Sequence, residues 1–137
     1  MRSRGIPGRD RWLGALFLLY TVASLLHFIH NAEYVDSYPN LPAWISRASV
    51  YAVWLAVAGA GLLGLLLCRS GRYALGLPLL VLYALAGLDG LLHYTRAAPS
   101  AHSAAMNFTI LFEAVVAAAL LVAVFDAARR RFRRPAR

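Results

Sequence analysis

The chain has 137 residues, 61% of them hydrophobic and only 15% charged, which is too much apolar surface for a soluble domain of this length. All 14 basic residues are arginine, the formal charge is +8, and there is one cysteine, Cys68. A single cysteine excludes an internal disulfide and any paired-cysteine redox or zinc motif.

Four segments have the ~20 apolar residues needed to cross a hydrocarbon core. They run over about 12–30, 49–68, 73–93 and 103–125. With no water in the bilayer core, such segments satisfy their backbone groups internally as helices. The expected fold is all-α: a single-domain polytopic membrane protein, an antiparallel four-transmembrane-helix bundle with a short outer cap between the first two helices. The first segment ends in His27-Phe28-Ile29-His30-Asn31 rather than in small residues, so it reads as a retained helix and not as a cleaved signal.

Arginine placement predicts the orientation. With the N-terminus inside, Arg2, Arg4, Arg9, Arg11, Arg69, Arg72, Arg129, Arg130, Arg131, Arg133, Arg134 and Arg137 are cytoplasmic, and only Arg47 and Arg96 are outside, 12 against 2. Both termini are then expected in the cytoplasm, with basic tails over 1–11 and 127–137, in a prokaryotic plasma (inner) membrane. After a membrane helix, a run such as Arg129-Arg130-Arg131-Phe132-Arg133-Arg134 fits anionic headgroups better than nucleic acid, which is not expected as a partner.

The four-residue stretch Arg69-Ser-Gly-Arg72 is a tight turn that makes the second and third helices antiparallel neighbours. The first outer loop, 31–48, holds Glu33, Tyr34, Asp36, Tyr38, Pro39, Pro42 and Trp44. Its prolines oppose helix and its aromatic residues favour the headgroup boundary, so it is expected to lie over the bundle as a cap. In the second outer loop Pro99 and Ser100 resemble a helix start, with Ser100 or Ser103 as N-cap and His102 in the first helical turn. There the helix dipole would keep the imidazole neutral.

All four histidines, His27, His30, His93 and His102, fall at the outer end of the bundle, with Glu33 and Asp89 beside them. Helical spacing puts His27 and His30 on one face, pairs Asp89 with His93, and aligns His102, Met106, Thr109 and Glu113 in one stripe. The second helix carries no such stripe, and its Ala56, Ala60 and Gly64 suit close helix packing. Ionisable groups inside a membrane are costly and point to function. The expected site is a transition-metal centre, with His27, His30, His93, His102 and Glu33 as ligands for zinc, copper or iron, since imidazole suits all three. Haem held between pairs of histidines is the alternative cofactor. Glu113, about 16 Å below His102 along the helix, and Asp89 are the candidate proton-moving catalytic groups. Asp89-x-x-x-His93 followed by His102 resembles the copper-ligand arrangement in the membrane subunits of methane and ammonia monooxygenases. That resemblance, over three residues, implies copper.

Two functional classes follow. One is a metal-dependent hydrolase or oxidoreductase acting on a lipid or small amphipathic substrate that enters beneath Trp44. The other is a non-catalytic metal- or haem-binding protein, or an accessory subunit packed against a larger membrane partner or a second copy of itself.

Overall fold

The computed structural model describes residues 7–132. The outer parts of both basic tails, 1–6 and 133–137, lie outside the described residues. Among the described residues there are five α-helices: α1 (Pro7–Glu33), α2 (Arg47–Arg69), α3 (Tyr73–Ala86), α4 (His93–Arg96) and α5 (Ala104–Phe132). Short 3-10 turns cover Val35–Ser37, Asp89–Leu92 and Pro99–Ala101. Four of the described stretches are long and apolar enough to span a bilayer: Arg11–Glu33, Arg47–Arg69, Tyr73–Arg96 and Ala104–Phe132.

The helices pack as a ring in the order α1, α2, α3, α5, so α2 and α5 are diagonal. The tight turn after α2 is confirmed. Gly71 takes φ +84, where a side chain would be strained, and Arg72 N–H reaches back to the Leu67 carbonyl at 2.8 Å. The α2–α3 seam depends on missing side chains. A Cβ on Gly76 would stand 2.6 Å from the Gly64 carbonyl oxygen, and one on Gly61 would enter the Tyr83 ring. The packing face of α2 is therefore Gly61, Gly64 and Cys68; of the expected Ala56, Ala60 and Gly64 only Gly64 is buried, and Ala56 is exposed.

The third span departs from one continuous helix. At Gly87 the backbone N–H bonds to the Ala84 carbonyl, and the Tyr83 carbonyl takes the Tyr20 hydroxyl at 3.0 Å instead. Tyr20 can reach it because Gly87 has no side chain; a Cβ there would lie 2.5 Å from the tyrosine ring. The chain then continues as the 3-10 turn Asp89–Leu92 before α4. The α2 start is also defined locally, by a reciprocal Ser46–Ser49 capping box.

Candidate functional site

The polar residues collect at the end of the bundle where α1 finishes, α2 begins and α5 begins. α1 contributes Ser24, His27, His30 and Asn31, and α5 contributes Glu113, the lowest member of the group. His27, His93 and Glu113 are 2%, 8% and 1% exposed, so three ionisable side chains sit in the interior. His102 is buried as well.

These groups form a row. Glu113 Oε2 lies 3.8 Å from His27 Nε2, beyond hydrogen-bond length. The His27 and His93 ring centres are 5.8 Å apart, and those of His93 and His102 are 6.3 Å apart. Gly90 lies over His27 and Glu113, and a Cβ there would make ordinary van der Waals contact with both, at 3.5 Å from His27 Nε2 and 3.7 Å from Glu113 Oε2. Tyr38, from the loop after α1, lies against the row: its ring is 4.7 Å from His93 and 6.4 Å from His102, and its hydroxyl shares a 3.0 Å hydrogen bond with His30 Nδ1. Burial pushes the Tyr38 phenol up to about 12, so it keeps its proton. Tyr38 and Asn31 were absent from the sequence-expected site. Tyr38 lies in a loop with no helical period to mark its direction, whereas Asn31 shares the His27 face and could have been included.

Several expected site residues are placed differently. Glu33 turns away from the imidazoles to pair with Arg47 at 2.7 Å and accept from the Tyr51 hydroxyl, which ties the end of α1 to the start of α2. His30 is half-buried and bonded to Tyr38 rather than in the row. Asp89 is exposed while His93 is buried. Four residues of α-helix would bring these two side chains to one face, but a 3-10 turn has three residues per turn and separates them by roughly 120°. The three-residue resemblance to the copper subunits therefore lacks its shared face. His102 is not in the first turn of α5. It is extended, one residue before Ser103, whose hydroxyl caps the Met106 N–H at 3.2 Å. Its Nδ1–H donates to the Ala98 carbonyl at 3.1 Å, which leaves Nε2 facing the interior.

Buried polar atoms without protein partners are concentrated here: His27 Nδ1, Asn31 Oδ1, His93 Nδ1, His102 Nε2 and Glu113 Oε1. Each unmet buried group costs about 1–3 kcal/mol, so their convergence on one place is unlike ordinary packing. A row does not make a metal cage. Two imidazoles on one ion need ring centres about 5–6 Å apart with both nitrogens aimed at it, and His102 is next to His93 only. Among the described residues no three His, Cys, Asp or Glu side chains are placed to hold an ion together.

Beside the row is a cavity of ≈ 270 Å³. Its inner end is His27, Asn31, Gly90 and His93; its walls include Phe28, Leu41, Ile45 and Val50. Its rim is exposed: Trp44 from the loop, Val53 of α2, and Asp89 and Arg96 from the broken end of the third span. The exposed part of the lining thus comes from the loop, α2 and the Asp89–Arg96 stretch together. The loop that roofs it is anchored by Asn40, which takes φ 56 and donates to the Arg96 carbonyl at 2.9 Å.

No protein-family model, no curated protein and no solved structure matches this chain significantly.

Proposed function

We propose that this multi-pass membrane protein binds a small amphipathic molecule in the cavity at its histidine end, with the polar head against His27, Asn31 and His93 and the apolar part leaving between α2 and α4. The observation that carries this reading is the pairing of apolar walls with an inner end lined by His27, Asn31 and His93. The 12-to-2 arginine asymmetry supports placing this end at the outer face, both termini in the cytoplasm, and the opening in the outer leaflet. Glu113 behind His27 supplies a carboxyl next to an imidazole, the pairing that acid–base chemistry on a bound head requires.

The test uses Trp44 at the rim. In a Trp12→Phe, Trp54→Phe background, a brominated-chain monoacylglycerol quenches Trp44 saturably, and Ala86→Phe, which fills the cavity from α3, abolishes saturation. Linear, unsaturable quenching in both proteins contradicts the reading.

A second reading is a transition-metal centre of zinc, copper or iron on His27, His93 and Glu113, favoured by the unpartnered ring nitrogens. It requires the rings to turn toward one point. One equivalent of metal per purified chain, lost in His93→Ala, establishes it; no stoichiometric metal removes it.

A further inference from the structure

We infer that the amphipath bound in this cavity is a lipid with a zwitterionic head, its ammonium held at Asp89 and its anionic group at Arg96. The inference rests on the cavity reading above and adds the charge of the head to it.

Most charged side chains at this end of the bundle are committed elsewhere. Of its two arginines, Arg47 is held by Glu33 at 2.7 Å, while Arg96 enters no ion pair among the described residues. Of its acids, Glu33 is taken up by Arg47, Glu113 is buried beside His27, and Asp36 does not line the cavity. Asp89 is left, and it too enters no ion pair among the described residues, not even with Arg96. One positive and one negative side chain therefore line the same cavity from its exposed rim without neutralising each other.

A head of one sign would satisfy one of these groups and bring a like charge to the other, so the second contact opposes the first. A neutral head pairs with neither. A head carrying both signs answers both. The guanidinium of Arg96 presents paired donors that match a phosphate or carboxylate. Asp89 accepts from an ammonium, and Trp44 on the same rim adds an aromatic ring, which attracts cations. Phe28, Leu41, Ile45 and Val50 line the walls with apolar side chains, which suits an attached hydrocarbon chain and gives nothing to a free, hydrated zwitterion.

The experiment is displacement of the brominated monoacylglycerol from the full chain that keeps Trp44 as its single tryptophan, by lipids of equal chain length and different head charge. The competitors are lysophosphatidylethanolamine (zwitterionic), lysophosphatidylglycerol (anionic), oleylamine (cationic) and unbrominated monoacylglycerol (neutral), with phosphoethanolamine as the chainless control. The zwitterionic lipid is expected to be at least about tenfold more effective than any other, through two partly exposed ion pairs. Asp89→Asn is expected to bring it level with the anionic lipid, and Arg96→Gln level with the cationic one, with the neutral lipid unchanged in both. A zwitterionic lipid no better than the neutral, anionic or cationic one overturns the charge assignment alone, because displacement shows that the cavity still binds. Displacement by phosphoethanolamine at equal concentration overturns the lipid as the source of the head. Quenching that never saturates overturns the assignment and the cavity reading together. The competition series on the chain with native Asp89 and Arg96 decides the matter even if a variant fails to fold.

Discussion

Tyr38 is the side chain on which the histidine end turns, since one phenol from a loop touches His30, His93 and His102. Tyr38→Phe keeps the ring contacts and removes the hydroxyl bonded to His30. It should cost about 1 kcal/mol, the net worth of one hydrogen bond, read as a small drop in the thermal midpoint in detergent. An unchanged midpoint would mean that the His30 contact contributes nothing. Glu33 gives the contrasting case: its pair with Arg47 is largely exposed, at 35% and 66% for the two side chains. Exposed pairs contribute about 0–1 kcal/mol, so Glu33→Gln should leave both the midpoint and ligand binding nearly unchanged. Lost binding would return Glu33 to the site. The burial of His27, His93, His102 and Glu113 was legible in sequence because each falls within or next to an apolar span that must pack against the others. The roles of Glu33 and Asp89 were not, since neither an arginine fourteen residues away nor a change of helical pitch shows in local spacing.

At the scale of the element, glycines decide where helices touch and where they stop. Gly76→Ala forces a methyl against the Gly64 carbonyl and the Cys68 backbone, neither of which can swing aside. The expected loss is about 1–3 kcal/mol, as for overpacked cores. Gly59→Ala meets nothing within 4 Å. It should be neutral or stabilising by up to ~1 kcal/mol through helix propensity. Comparing the two midpoints checks the seam, and equal effects would mean that α2 and α3 do not pack as described. The spans themselves were readable, because length and hydropathy are properties of composition. The break after Ala86 was not, because the apolar run continues through it. The signal was present in Gly87 and Gly90 flanking Asp89, yet small residues are also common inside unbroken membrane helices. That break exposes Asp89 and buries His93, both of which line the cavity, so the cavity was beyond a reading made from helical periodicity.

For the whole molecule, the ring of four spans sets one polar, hollow end against an arginine-rich one. In a Cys68→Ala background, Ser100→Cys should react with an impermeant maleimide in intact cells, and Ser70→Cys only after permeabilisation. The reverse pattern would put the cavity on the cytoplasmic face. The most direct test of the cavity as a binding site is native mass spectrometry of the chain released from mild detergent after incubation with oleyl alcohol. One bound amphipath per chain is expected, and none on Ala86→Phe at an unchanged thermal midpoint. An adduct that persists on the filled variant, or an unaltered chain that carries none, would contradict it.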